Sequence, residues 1–126
     1  MGTRFIVTEE APVHENVKQA IINASELDTR LVMRSLRNTE RVLNNPAVER
    51  LLAKEATLGA DLKFEDIVEE VAGVYPKIMK TGDMDAGAWS CGMVAGLIHD
   101  KPTVKKLIDD IMAEADAIIN QRLKGL

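Results

Sequence analysis

Residues 82–98 read Gly82-Asp83-Met84-Asp85-Ala86-Gly87-Ala88-Trp89-Ser90-Cys91-Gly92-Met93-Val94-Ala95-Gly96-Leu97-Ile98. Ala88, Gly92 and Gly96 recur every four residues, the spacing that puts side chains on one helix face. A helix here would carry a groove of small residues that another helix, a barrel wall or a flat ligand could approach closely. Trp89 and Met93, also four apart, would border that groove as core or as pocket lining. Ser90 and Cys91 offer polar atoms beside it, and neither has a neighbouring base that would make it a recognisable nucleophile.

At the other end of the chain stands Met1-Gly2-Thr3-Arg4-Phe5-Ile6-Val7-Thr8. Alternation over Thr3–Thr8 predicts the end of a strand, which Glu9-Glu10-Ala11-Pro12 then breaks. Beside a strand, Gly2 lets the backbone come close to a phosphate, while Thr3 and adjacent N–H groups can donate to its oxygens. Taken alone, the tripeptide reads more simply as a loose terminus.

Between these ends the apolar spacing is mostly helical. Val13, Val17, Ala20, Ile21 and Ala24 predict a helix over 14–25, and Thr29–Arg34 reads as a strand or an extended segment. A helical period resumes at Asn38, with Val42 and Leu43 on one face, until Asn44-Asn45-Pro46 interrupts it. Val48, Leu51, Leu52 and Leu58 carry the next helix to a cap at Gly59. Phe64, Ile67, Val68 and Val71 form a short helix ending near Gly73, after which Tyr75-Pro76 opens a linker. The last helix runs from Val104 through Ile108, Ile111, Ala115 and Ile119 to Leu123, with Pro102 before it and Gly125 after it. The expected class is mainly α with minor β.

Composition narrows the function. The 126 residues are 46% hydrophobic and 29% charged, with net charge −4 and only 3% aromatic residues. That balance lacks the basic, stacking-rich face that nucleic acid requires. No apolar run approaches the ~20 residues of a membrane span, and the start lacks a secretory pattern, so a cytoplasmic protein is expected. The lone Cys91 has no partner for an internal disulfide. His14 and His99 have no second ligand at zinc spacing, so no metal site is predicted. Glu65-Asp66, Glu69-Glu70 and Asp109-Asp110 read as solvent-facing charge. Arg30, Arg34, Arg37 and Arg41 fall within twelve residues; Arg34, Arg37 and Arg41 would share a helix face, to be solvated or to hold the phosphate of a nicotinamide cofactor.

Taken in order, Gly2-Thr3-Arg4-Phe5, Thr8-Glu9, Pro12-Val13-His14, Met33-Arg34-Ser35-Leu36-Arg37-Asn38-Thr39 and Gly82-Asp83 through Ile98 resemble the nitronate monooxygenases, formerly 2-nitropropane dioxygenases, and similar NADH:quinone reductases. The related flavin enoyl-acyl-carrier-protein reductases share the first and last of these motifs. The resemblance implies the C-terminal part of a flavin TIM barrel, since a complete barrel needs at least about 200 residues.

On that mapping residues 1–8 hold a strand end and the FMN-phosphate loop, with Met1, Gly2 and Thr3 as cofactor-binding residues. Residues 9–80 form a mostly helical substrate-covering domain, and 81–126 return to the barrel. Trp89, Ser90, Gly92 and Met93 are the substrate-pocket candidates. The resemblance implies FMN as cofactor, NAD(P)H as electron donor and a small-molecule substrate. The family's catalytic histidine segment lies upstream of these motifs and matches neither His14 nor His99, so no catalytic residue is assigned and inactivity in isolation is expected. The expected partner is the missing N-terminal barrel portion or a second copy of the chain; the alternative reading is a non-enzymatic helical module that self-associates or binds a partner.

Overall fold

The computed structural model describes residues 1–124. Eight regular elements follow in order: α1 (Gly2–Ile6), α2 (Glu15–Asn23), β1 (Thr29–Val32), β2 (Glu40–Leu43), α3 (Pro46–Leu58), α4 (Phe64–Val71), α5 (Val74–Thr81) and α6 (Val104–Ala117). Single turns of 3₁₀ helix occupy Glu26–Asp28, Gly59–Asp61 and Met93–Leu97, and α6 runs on into a π turn at Ile118–Arg122. The mainly helical, minor-β class is therefore observed. No helix among the described residues is long and apolar enough to cross a membrane.

The expected helix over 14–25 is α2, which starts where the His14 ring accepts a hydrogen bond from the Asn16 N–H. The helices expected after Pro46 and around Phe64–Val71 are α3 and α4, and α3 ends at Gly59 as its cap. Asn45 caps α3 by accepting from the Val48 N–H at 2.8 Å, with Pro46 in the first turn, where its missing N–H costs nothing. The same Asn45 amide donates to the carbonyls of Met84 and Gly87 at 3.0 and 2.9 Å, fastening the 84–87 turn to α3.

Four expectations are corrected. Thr3–Thr8 is not a strand: Gly2–Ile6 is a short helix, and so short a stretch fits either period. The helix expected from Asn38 is replaced by β2, which pairs antiparallel with β1 in the register Thr29 to Leu43 through Val32 to Glu40. The linker expected from Tyr75 is α5, bounded by Gly73 and Gly82, both left-handed at φ 69°. Gly82 is doubly constrained, because a Cβ there would also strike the His14 ring.

The fourth correction is the largest. Residues 83–98 form no continuous helix; 88–91 lie extended along the free edge of β2. The Leu43 N–H donates to the Trp89 carbonyl at 3.3 Å and the Cys91 N–H to the Arg41 carbonyl at 3.0 Å, with Val42 opposite Ser90. The small-residue groove consequently does not exist. Ala88 is buried, Gly92 lies against Thr3, and a Cβ on Gly96 would sit 2.6 Å from the Glu26 carboxylate. The every-fourth spacing is not a shared face, and of the two glycines only Gly96 is closely approached by a neighbour.

This arrangement separates two apolar cores. Trp89, Cys91, Leu43, Val7, Val17, Ile21, Ile78 and Ile98 fill one; Ala88, Val42, Val32, Met33, Val48, Leu51 and Ile67 fill the other. Successive residues of an extended chain point to opposite sides, so Val42 and Leu43 serve different cores, as do Ala88 and Trp89. Gly125 lies outside the described residues. Replacing Asn45 with Ala removes a cap and two tethers, and should lower unfolding free energy by about 2 kcal/mol in urea titrations.

Candidate functional site

A helix of five residues has little stability of its own, and α1 is held by contacts from far along the chain. The Thr3 Oγ1 accepts from the Gly92 N–H at 3.0 Å. Arg4 donates to the Asp100 carboxylate at 2.8 Å and to its carbonyl at 3.2 Å. Beyond the helix, the Glu9 N–H donates to the Pro102 carbonyl at 3.0 Å. Both Glu10 carboxylate oxygens accept from the Val104 N–H, at 3.0 and 2.9 Å, so the negative charge sits at the start of α6, where the helix dipole favours it. Lys18, buried in α2, donates its ammonium to the carbonyls of Thr8 and Glu9 at 2.6 and 3.2 Å, closing the turn behind α1.

These anchors leave the leading turn of α1 open. No side chain caps it, Met1 and Gly2 are exposed, and a Cβ on Gly2 would meet nothing within 4 Å. Because Thr3 Oγ1 accepts from Gly92, its hydroxyl proton is free to point outward. Unbonded amides at a helix start plus one hydroxyl form a donor set suited to a phosphate oxygen. Met1, Gly2 and Thr3 thus share this open turn, and Gly92 is brought to Thr3.

The other pocket candidates are divided. Ser90 is exposed at the edge of β2, and Met93 is half-exposed at the start of the 3₁₀ turn. Trp89 is wholly buried in the first core, on the opposite side of the segment from Ser90, and its Nε1 finds no hydrogen-bond partner.

Ser90 belongs to a polar cluster that its sequence context did not announce. Its Oγ donates to Glu40 Oε1, its N–H donates to the Tyr75 hydroxyl, and Tyr75 donates to the same Glu40 oxygen at 3.4 Å. Glu40 comes from β2 and Tyr75 from α5, two elements whose type the apolar spacing does not reveal, so no periodic signal could have joined them. Burial holds the Tyr75 phenol above its usual range, and the Glu40 charge adds to that effect against the opposing bonds from Ser90. The phenol therefore keeps its proton at neutral pH.

Arg41 donates to the Thr29 hydroxyl across the hairpin at 2.8 Å, whereas Arg34 and Arg37 lie in the β1–β2 turn. The helical face expected for them is corrected by the hairpin. Among the described residues no three His, Cys, Asp or Glu side chains converge as a metal cluster.

With this geometry in place, comparison with known proteins gives a consistent answer. The family model for nitronate monooxygenase matches residues 1–114. The chain belongs to the nitronate monooxygenase family.

Among curated relatives, the (3aS,4S,5R,7aS)-5-hydroxy-7a-methyl-1-oxo-octahydro-1H-indene-4-carboxyl-CoA dehydrogenase of Rhodococcus jostii is 28% identical over 91% of this chain and 42% of its own. The protein of the same name from Mycobacterium tuberculosis is 25% identical over the same shares. Among solved structures, FabK from Thermotoga maritima superposes with a TM-score of 0.87 at 30% identity, covering 99% of this chain and 38% of that one. Its M276A mutant gives a TM-score of 0.79 at 29% identity. The chain thus spans about two-fifths of the length of these proteins.

Burial pushes the Cys91 thiol up to about 11. Since the thiolate is the reactive form, the folded chain should resist a disulfide reagent at pH 8 and react fully once unfolded in urea. Rapid labelling of the folded chain would contradict this placement.

Proposed function

We propose that this chain is the C-terminal part of an FMN-dependent oxidoreductase, and that the open turn of α1 grips the flavin phosphate. Membership of the nitronate monooxygenase family across residues 1–114 carries this reading, and the donor set at Gly2 and Thr3 supports it. In barrel enzymes a phosphate commonly rests at the N-terminus of a short extra helix, the kind of element that α1 is. FMN, when bound, supplies the electron transfer between a reduced donor such as NAD(P)H and the substrate.

The chain's own residues bind and orient. Gly2 lets the phosphate approach the backbone, and the Thr3 hydroxyl donates to it while accepting from Gly92. That shared hydroxyl fixes the spacing between the phosphate and the 90–93 segment. Ser90 and Met93 then line the substrate pocket, Gly92 keeps the wall close to the cofactor, and Trp89 supports the wall from the core behind it. Glu40 and Tyr75 orient the Ser90 hydroxyl; they are positioning residues. Residues 9–80 cover the pocket, and 81 onward returns to the barrel.

The full activity belongs to the larger assembly. Named relatives include a carboxyl-CoA dehydrogenase, which supports a thioester as one substrate class beside nitronates and quinones. The family's catalytic histidine segment has no counterpart in this stretch, so the chain alone is expected to be inactive. The exposed Ile108, Met112, Ile119 and Leu123 along α6 and its π turn support docking of the N-terminal barrel portion. The same stripe favours a second reading, a helical module that covers these residues by pairing with another copy.

Adding FMN to the purified chain tests the phosphate grip directly. A perturbed flavin absorption spectrum is expected, with riboflavin, which lacks the phosphate, at least about tenfold weaker. Thr3→Val should weaken FMN by about tenfold as well, through loss of one charge-assisted hydrogen bond. Equal binding of FMN and riboflavin, or an unperturbed spectrum with a concentration-dependent dimer, would favour the module instead.

A further inference from the structure

The β1–β2 turn departs from the acidic character of the chain. Arg34 and Arg37 sit in it three residues apart, and the turn is built around two non-glycine residues in left-handed conformation, Met33 at φ 56° and Arg37 at φ 55°. Such conformations are uncommon for L side chains and persist where surrounding structure holds them. Here the Asn38 N–H donates to the Met33 carbonyl at 3.2 Å and the Arg37 N–H to the Arg34 carbonyl at 3.1 Å. The Arg34 N–H donates to the Glu55 carboxylate of α3 at 3.0 Å, and the Met33 side chain is buried in the second core. The turn is anchored at both ends, so its exposed side chains are presented from a fixed base.

The guanidiniums of this turn differ from those around it. Arg4 is paired with Asp100 and Arg50 with Glu70. Arg30 donates to the carbonyls of Leu27 and Thr29, and Arg41 to the Thr29 hydroxyl. Among the described residues, Arg34 and Arg37 have no carboxylate or carbonyl on their guanidiniums, and both are exposed. Beside Arg34 opens a recess of about 370 Å³ lined by Leu31, Arg34, Ser35, Leu52, Glu55 and Ala56, with Arg37 one backbone hydrogen bond away across the turn. Leu31, Leu52 and Ala56 give it an apolar wall, while Arg34 and Ser35 put a cation and a hydroxyl at its edge.

We propose that Arg34 and Arg37 bind the phosphate group of an organic phosphate ester whose less polar portion rests in this recess. A planar guanidinium matches two phosphate oxygens at once, and the Ser35 hydroxyl supplies a further donor. The Glu55 carboxylate, which also lines the recess, repels an anion, so the phosphate is held by the guanidiniums of the turn and the uncharged part by Leu31, Leu52 and Ala56. The turn and the open end of α1 are different elements with separate anchors, so this site does not depend on the flavin phosphate grip. Under the proposed oxidoreductase reading the phosphate could come from the nucleotide of an electron donor or from the tail of a thioester carrier, two sources with the same terminal chemistry.

Calorimetric titration of the chain with adenosine 2′,5′-bisphosphate and with adenosine 3′,5′-bisphosphate tests the proposal and separates the sources. Sub-millimolar binding of at least one is expected, the 2′ form pointing to the electron donor and the 3′ form to the carrier. Arg34→Glu should weaken it by at least about tenfold, and Arg34→Gln, which removes the charge without adding one beside Glu55, by about fivefold. Arg122→Glu, an equal charge change on the distant π turn, should leave it unaltered, and FMN absorption should be unaltered in all three variants. Absence of binding by both bisphosphates at millimolar concentration would overturn the proposal, as would an Arg34→Gln chain that binds as tightly as the wild type. Either result leaves the flavin reading to stand or fall separately, on the FMN titration of the wild-type chain.

Discussion

The fold depends on a clasp between residues 3–10 and 92–104. Thr3 holds the Gly92 amide, Arg4 holds Asp100, Glu9 bonds to Pro102, and Glu10 caps α6 through Val104. An ion pair with one exposed partner contributes little by itself, and Asp100 is 68% exposed. The hydrogen bonds to backbone groups, each contributing about 1 kcal/mol net, therefore outweigh it together. Lys18 completes it from α2 by holding the Thr8 and Glu9 carbonyls inside the protein. A short helix that would fray alone is fixed in orientation, with its unbonded amides turned outward.

The second constraint is the edge of β2. By extending along it, residues 88–91 satisfy their backbone groups and place alternate side chains into two cores. The Ala88 N–H also reaches the Glu70 carbonyl at 2.7 Å, and Glu70, expected to face solvent, is instead buried with both oxygens on the Lys54 ammonium at 2.9 Å. Gly87 must be small because a Cβ would meet that same Glu70 carbonyl at 2.6 Å. These contacts set where Ser90 emerges, which is why its hydroxyl meets Glu40 and Tyr75.

Helices with a sustained stripe and explicit caps were legible: α2, α3, α4 and α6 follow from apolar spacing together with Asn45-Pro46, Gly59 and Pro102. The order of motifs likewise led to the family that the comparison gives. What failed was short or doubly constrained. Four residues of β2 fit a helical period as well as an extended one, and only pairing with β1 decides between them. Gly92 and Gly96 suggested a shared helix face, yet Gly96 is small because Glu26 packs against it, while Gly92 has room for a Cβ and meets Thr3 through its backbone N–H. At the candidate site, Met1, Gly2 and Thr3 could be singled out by residue type. The roles of Gly92, Glu10 and Lys18 in holding them are long-range hydrogen bonds with no local signature.

Native-state hydrogen exchange at the Gly92 amide, compared between the wild-type chain and Thr3→Ser and Thr3→Val variants, tests the clasp most directly. Gly92 should be protected in the wild type and in Thr3→Ser, which keeps the accepting oxygen. It should exchange markedly faster in Thr3→Val while core amides such as Ile21 remain slow. Rapid exchange at Gly92 in the wild type, or protection indifferent to the loss of the Thr3 hydroxyl, would contradict the account.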